Sequence, residues 1–549
     1  MKSGIVTLGM AASMVTGPVF AQKPNEHQKY LRPNIVIILA DDMGYSDLGC
    51  FGGEIKTPNT NRLAREGLRF TQFYNAGRCW PTRASLLTGY YYQAVRPSSA
   101  NNRGEGWSRT IPQFLKPQGY RTYHSGKWHV IEVPRPFADA GFDQSYWVDN
   151  LLNQYDPKDF ENDIQIKHAN ETKENYYTTI AITDHAIKEL KGHRVNYSHQ
   201  PFFLYLAYTS PHFPVQAPQK DIDKYKNAYQ DGWDKTRERR LANMKKSGIV
   251  GCDLPELEPR ARWHYQDDRM LLDTLGPGEV FEARPWNTLS KEQQKFQSMK
   301  MSVHAAMVDR MDQEIGRLIR QLKEMGQFDN TVIFLLSDNG ASAEMMVRGK
   351  GHDKNVRPGS EDSHLCIGPG WASASNTPLR RSKAWVHEGG ISTPLIVHWP
   401  DGIKSKNEIR NNPGHLVDIL PTILELAGNI DPADETSSGY PELHGVSLVS
   451  SFYKDNSVKH DFIYFNHEGN YALRMGNWKL VTSELDTHQW SLYNLANDRS
   501  ENNDLSTEYP ERVKMMKEKW EDLTKNYKAQ NPNPTAAQKV EGFVKPKWK

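Results

Sequence analysis

The chain has 549 residues and balances 68 Lys and Arg against 66 Asp and Glu for a formal net charge of +2, which leaves no electrostatic case for nucleic acid or an anionic membrane surface as partner. Aromatic residues make up 11 %, with 14 Trp, and this composition argues for a folded enzyme or a carbohydrate binder and against disorder. A prior of roughly 150 residues per domain implies about two to four units, of which an α/β fold can absorb most in one.

Lys2, the apolar run Ile5 to Ala12 and the small-residue stretch ending at Ala21 read as an export signal over residues 1–21, followed by a solvated tether from Gln22 to Glu26. No other run approaches the ~20 apolar residues of a membrane span. The mature protein is therefore expected to be periplasmic or secreted, without stable membrane insertion.

Pro33 to Leu39 is a continuous β-branched run, the pattern of a strand buried on both faces of a parallel sheet, and it ends in Asp41-Asp42. Thr57-Pro58-Asn59-Thr60-Asn61 caps a predicted helix that places Leu63, Gly67 and Phe70 towards a core. Arg78-Cys79-Trp80-Pro81-Thr82-Arg83 then sets one thiol beside two guanidiniums at a helix start, where either a thiolate or a bound oxyanion is stabilised. Further strands are predicted over 119–124, ending in Ser125-Gly126-Lys127-Trp128-His129, and over 201–208, ending near His212.

Residues 221–292 are polar and read as an excursion of loops and solvated helices, with the charge run Lys235 to Arg240 on a wet helix face. Apolar residues recur at helical spacing from Val303 to Met325 and stop at Gly326. A strand over 330–336 ends in Ser337-Asp338-Asn339-Gly340, a long loop follows, and Lys383 and Glu388-Gly389-Gly390 precede a strand over 393–399. A helix over 415–426 completes an α/β domain spanning 30–428, in which a large, mostly parallel central sheet is flanked by helices. Beyond a boundary at 429–440, short alternating strands and a helix from about Glu511 to Asn526 predict a smaller C-terminal α+β domain over 441–549. Four cysteines, Cys50, Cys79, Cys252 and Cys366, form no zinc pattern, and a bridge between Cys252 and Cys366 is left open.

The polar residues that follow these strands carry the chemistry, because ligands of an open parallel sheet bind outside the strands' carboxyl ends. Asp41, Asp42, Asp338 and Asn339 form an all-oxygen set with three negative charges, which repel one another unless protonated or joined by a cation. Oxygen ligands without Cys or His favour Ca²⁺ over Zn²⁺, with Mg²⁺ as the alternative. Arg83, Lys127, His129, His212 and Lys383 add positive charge and proton transfer around it, the equipment for a tetrahedral oxyanion, so phosphate or sulfate esters are the expected substrate class.

Cys79-x-Pro81-x-Arg83 with Leu87-Thr88-Gly89, and the blocks beginning at Asp41, Gly126, Ser337 and Lys383, resemble those of the type I sulfatases of the alkaline phosphatase superfamily, arylsulfatase-like branch. The resemblance runs from about Pro33 to Leu505 and implies that Cys79 is oxidised by a formylglycine-generating enzyme to Cα-formylglycine, whose hydrate is the nucleophile and a metal ligand. It further implies that Ca²⁺ and Arg83 orient the nucleophile, with His129 as base and Lys127 holding it and the sulfate. His212 and Lys383 would meet the departing alcohol oxygen, and His467 would join the substrate pocket. The cation and neighbouring arginines are expected to depress the pKa values of Lys127 and Lys383. The implied substrate is a sulfated small molecule or glycan; a phosphate mono- or diester hydrolase and an inactive sulfated-glycan binder remain as alternatives.

Overall fold

The computed structural model describes Met1 and residues 32–95, 108–131, 133–149, 153–166, 176–259, 265–428 and 441–531; the export signal, its tether and the boundary at 429–440 lie outside them. Among these residues eleven strands form the main sheet. In chain order they are β1 (Asn34–Ala40), β2 (Leu68–Tyr74), β3 (Arg121–Lys127), β4 (Gln144–Val148), β5 (Asp159–Glu161), β6 (Ile164–Ile166), β7 (Phe202–Ala207), β8 (Thr331–Ser337), β9 (Ser392–His398), β10 (Glu408–Arg410) and β11 (Gly414–His415). Their order across the sheet is β10-β2-β9-β8-β1-β7-β3-β4-β5-β6, with β11 also on β2. The block β8-β1-β7-β3-β4 is parallel, whereas β9 runs antiparallel to both neighbours and β5 and β6 close one edge as an antiparallel ribbon.

The apolar runs have a simple cause. Val36 and Ile38 of β1 pack into one core layer, and Ile35, Ile37 and Leu39 pack into the other. A strand covered on both faces has no solvent side on which to place polar residues.

Four helices matter for the site: α1 (Cys79–Thr88), α2 (Gly232–Lys246), α3 (Lys291–Glu324) and α4 (Pro510–Gln530). The periodic stretch starts at Val303, twelve residues into α3, which begins earlier than its apolar pattern because Ser290 and Gln293 form a reciprocal cap. Its methionines Met301, Met307 and Met311 are core residues. Two sequence expectations need correction. The helix after Thr57 ends at Glu66, so Phe70 lies on β2. The excursion joins the main core through Trp233, Met244, Leu271 and Trp286, and the charge run is only half wet. On α2, Lys235 pairs with Glu238 in solvent, but Arg240 is wholly buried between Asp47 and Glu54 at 2.8 Å each.

The C-terminal part is a four-stranded antiparallel sheet of β12 (Ile463–His467), β13 (Asn470–Met475), β14 (Trp478–Thr482) and β15 (Ser491–Asn494), packed against α4. Its other face meets Tyr74, Val386 and Ile391 of the main domain. A buried cluster locks that contact, with Lys479 Nζ 2.9 Å from Glu388 and 2.8 Å from Glu501, and Arg499 3.0 Å from Glu388. All four cysteines are unbridged in this structure, Cys252 and Cys366 included. Among the described residues no helix is long and apolar enough to cross a membrane.

Candidate active site

Strands β8, β1, β7 and β3 end side by side and deliver Asp338 and Asn339, Asp41 and Asp42, His212, and Lys127 and His129 to one edge of the sheet. Because β9 is reversed, the chain entering it crosses this same edge and supplies Lys383. Strand β2 runs in the direction of β8 and also ends here, leading into α1 with Cys79 in its first turn. The motifs separated in sequence thus meet for a topological reason.

Several motif glycines are needed because backbones approach closely. A Cβ on Gly340 would stand 1.8 Å from the carbonyl oxygen of Gly389, so the Ser-Asp-Asn-Gly and Glu-Gly-Gly blocks touch backbone to backbone. Gly89 ends α1 in the left-handed conformation, its N–H bonded to Ser85 O at 2.9 Å. Asp42 and His129 take the same region without being glycine, with φ of 64° and 48°. Such strain is typical of positions fixed by the surrounding structure for a function.

Cys79 is 3 % exposed, and its Sγ lies 3.3 Å from His129 Nδ1. Arg83 donates to Asp338 Oδ2 from Nε at 3.2 Å and Nη2 at 2.7 Å, and from Nη1 to the Lys127 carbonyl at 3.0 Å. Lys127 Nζ donates to Asp41 Oδ2 at 2.6 Å, and Lys383 Nζ to Asp42 at 2.9 Å. His212 donates from Nδ1 to the Phe213 carbonyl, which turns Nε2 towards Asp42 Oδ2 at 3.7 Å. Burial, reinforced by nearby Lys127, holds His129 down to about 3; burial also holds His212 down to about 3, so both imidazoles are neutral near pH 7.

The three carboxylates Asp41, Asp42 and Asp338 face three cations, Arg83, Lys127 and Lys383, and the balance is zero. It is nevertheless uneven. Burial, with repulsion from Asp42 on Asp41 and from Asp41 on Asp338, pushes both upward, Asp338 to about 6, despite their cationic partners. Burial acts on Asp42 too, but the Lys383 ammonium outweighs it and holds that carboxyl below its usual range. Lys383 departs from expectation. Burial works against its ammonium, yet Asp42 and Glu344 more than compensate, so the protein's own charges raise its pKa well above the ordinary value instead of depressing it.

Two buried acceptors, Asp41 Oδ1 and Asn339 Oδ1, receive no hydrogen bond among the described residues. Orphaned oxygens among repelling carboxylates fit a hard cation, which would satisfy both at once. Among the described residues, Asp41, Asp42 and His212 each offer a candidate ligand atom, all within 4.8 Å of one another. Asp338 and Cys79 stand outside that group: Asp338 gives one oxygen to Arg83 and the other to the Asp42 N–H at 3.2 Å, and Cys79 lies against His129.

An outer ring surrounds the site, and two of its members, Glu344 and Tyr265, escaped the reading of the sequence. Arg78 bonds to Glu344 at 3.1 Å, Glu468 at 3.0 Å and the Tyr265 hydroxyl at 2.9 Å. His467, the expected pocket residue, is 4 % exposed, 3.4 Å from Glu468, and has its ring centroid 6.2 Å from that of Trp80. Glu344 sits in the loop after β8 and Tyr265 in the excursion, and neither belongs to a motif that a reader of the sequence can recognise.

The comparisons bear on this edge of the sheet. The sulfatase family model matches residues 33–429, which contain every residue just described except the hairpin pair His467 and Glu468. The chain belongs to the sulfatase family. This sulfatase also matches, over 381–528, the model of the C-terminal region of N-sulphoglucosamine sulphohydrolase. It is 32 % identical to an uncharacterised sulfatase of Schizosaccharomyces pombe, covering 90 % of this chain and 94 % of the relative. It is 31 % identical to an arylsulfatase of Klebsiella aerogenes, over 73 % of this chain and 88 % of that one. Among solved structures, Ps i-CgsB in complex with k-i-k-neocarrahexaose superimposes with a TM-score of 0.63 at 25 % identity, covering 92 % of this chain and 94 % of the other. The sulfatase is accordingly an enzyme of sulfate ester hydrolysis, with a cluster of acidic residues able to hold a metal ion.

Proposed function

We propose that this sulfatase is exported and hydrolyses sulfate monoesters of carbohydrates, with Cys79 converted to Cα-formylglycine by a maturing enzyme and Ca²⁺ held by Asp41, Asp42, Asp338, Asn339 and the side chain at position 79. One observation carries the reading: five strand-associated segments bring three carboxylates and three cations together at the sheet edge where α1 begins with Cys79, whose Sγ lies 3.3 Å from His129. When bound, the cation polarises a sulfate oxygen and the converted side chain supplies an oxygen nucleophile.

The chain's own residues then divide the work. Arg83 and Lys127 offer fixed positive charge to the sulfate oxygens and cost no reorganisation, because both are already held by carboxylates. Neutral His129, beside position 79, is in the form that accepts a proton. Lys383 remains an ammonium and meets the departing oxygen. His212 has committed its N–H to Phe213 and presents a bare Nε2, which can accept from a substrate hydroxyl but cannot protonate the departing oxygen, so Lys383 is the donor. His467 and the partly exposed Trp80 wall the pocket beside the nucleophile. A carbohydrate substrate is supported by the match to the sulphoglucosamine sulphohydrolase region and by the oligosaccharide complex of Ps i-CgsB.

The test uses protein from the native host, or produced with a maturing enzyme. Turnover of an aryl sulfate is compared with that of the matching aryl phosphate, a panel of sulfated sugars is assayed, and the peptide containing Cys79 is weighed. Sulfate preference and an aldehyde at position 79 are expected. A phosphate preference, or an unmodified thiol in protein without activity, overturns the reading.

A further inference from the structure

A continuous line of ion pairs, buried as far as Arg78 and half-buried at its outer end, runs outward from the carboxylates of the site. Asp42 meets Lys383 at 2.9 Å, Lys383 meets Glu344 at 3.1 Å, Glu344 meets Arg78 at 3.1 Å and Arg78 meets Glu468 at 3.0 Å. Glu344, at the centre, is 2 % exposed and has both oxygens engaged: Oε1 also accepts from the Tyr265 hydroxyl at 2.7 Å and Oε2 from Ser342 at 3.2 Å. A carboxylate is costly to bury and stays only where its partners are fixed. The steps described above do not use it.

Its placement matters because lysine is a long, freely rotating stem with a point charge at its tip. One carboxylate, Asp42, defines a distance for Lys383 Nζ. A second, Glu344, narrows that distance to a position. The backbone around Lys383 is also held in place, with Arg381 and Ala384 at φ of 67° and 74°. At the far end, Glu468 and Gly469 have φ of 46° and 82° and form the two-residue turn between β12 and β13. A turn of this kind favours Asn-Gly, and a glutamate there gives up that preference while its carboxylate reaches Arg78.

We propose that Glu344 is a positioning residue: it fixes the Lys383 ammonium beside the leaving-group oxygen and, through Arg78, ties that placement to Glu468 in the C-terminal hairpin. The inference rests on the reading of Lys383 as the group that meets the departing oxygen. Positioning of that kind has a signature that a merely structural role lacks. An ammonium at the leaving oxygen matters most for poor leaving groups and little for activated ones.

The experiment measures kcat and KM of matured enzyme on a series of sulfate esters, from nitrophenyl sulfate through simple aryl sulfates to alkyl and sugar sulfates. For Glu344→Gln, kcat is expected to fall about 30-fold or more on alkyl and sugar sulfates and no more than about 3-fold on nitrophenyl sulfate, with KM nearly unchanged. Glu344→Asp keeps the charge and should lie between, and Glu468→Gln should tilt the series in the same sense by less. Equal losses across the series, or none, overturn the proposal. Should Glu344→Gln not fold, as judged by its melting curve, Glu344→Asp and Glu468→Gln carry the same comparison with the same two outcomes. A wild-type enzyme inactive on every sulfate ester defeats the sulfatase reading itself, whereas an active wild type with a flat variant series defeats only the role given to Glu344.

Discussion

Replacing Arg240 by Met removes a buried charge while keeping a long stem, and the structure sets the size of the effect. Arg240 donates to Asp47 Oδ1 at 2.8 Å and to both oxygens of Glu54 at 2.9 and 2.8 Å. Asp47 is wholly buried; burial alone would raise it, but His304 and Arg240 bring it down to about 2 from 3.8. At about 1.4 kcal/mol per unit, that depression represents roughly 2–3 kcal/mol of stabilisation, shared between the two partners. Breaking a buried pair from one side costs about 3–5 kcal/mol, a large part of the ~5–15 kcal/mol that holds a typical domain together. The sign with pH follows. A carboxylate depressed in the folded state stabilises above its unfolded pKa and stops doing so as pH falls through the folded one. The deficit of Arg240→Met should therefore be full at pH 7 and shrink below about pH 4. Urea unfolding followed by tryptophan fluorescence at several pH values measures it. A deficit under about 1 kcal/mol at pH 7, or one independent of pH, refutes the reasoning. Activity should fall as well, because Asp47 also accepts from the Gly44 N–H at 2.9 Å and so pins the turn that follows Asp42.

Loss of the His129 side chain in His129→Ala should lower kcat by about 10²–10⁴ with little change in KM. With its pKa at about 3, His129 should contribute no inflection to kcat/KM between pH 5 and 8; a group titrating near 6.5 that disappears in the variant would contradict this. Chelation should abolish turnover and lower the melting temperature, and Ca²⁺ should restore both where Zn²⁺ does not; recovery with Zn²⁺ alone would show that the oxygen-ligand argument misjudged the site. Thiol titration of the unfolded chain should count the four free cysteines when position 79 is unconverted and one fewer when it is converted, irrespective of prior reduction. A lower count that rises on reduction would mean that a bridge forms in solution.

Much of the fold is legible in the order of the residues. Strands β1, β7, β8 and β9 announce themselves because burial on both faces forces unbroken apolar runs, and polar residues of the site stand close to the end of each that meets the shared sheet edge. Strand β2 is not legible: Leu68-Arg69-Phe70-Thr71-Gln72-Phe73-Tyr74 mixes polar and apolar residues directly after a helix, and its pairing with β9 is a distant contact that local pattern does not encode. Arg240 misleads for a related reason. Its neighbours are charged, so the run reads as solvated, and only the positions of Asp47 and Glu54, distant in sequence, reveal a buried partner. The inner residues of the site stand in motifs of neighbouring residues. The ring around Arg78 is assembled from Glu344, Tyr265 and Glu468, three segments joined by tertiary contacts alone.

The burial of Cys79 has a consequence for the order of events during synthesis. At 3 % exposure, in the first turn of α1, the side chain cannot be threaded into another enzyme's active site once the protein has folded. Any enzyme that modifies position 79 must meet an extended segment. The residues that hold its neighbour Arg78 come late, since Glu344 and Glu468 follow Arg78 by 266 and 390 positions. At translation rates of about 5–20 residues per second, the segment bearing Cys79 leaves the ribosome roughly 20 to 80 s before its last closing contact exists. The long spacing of this site in sequence thus sets a delay between the emergence of Cys79 and the completion of the ion pairs around Arg78.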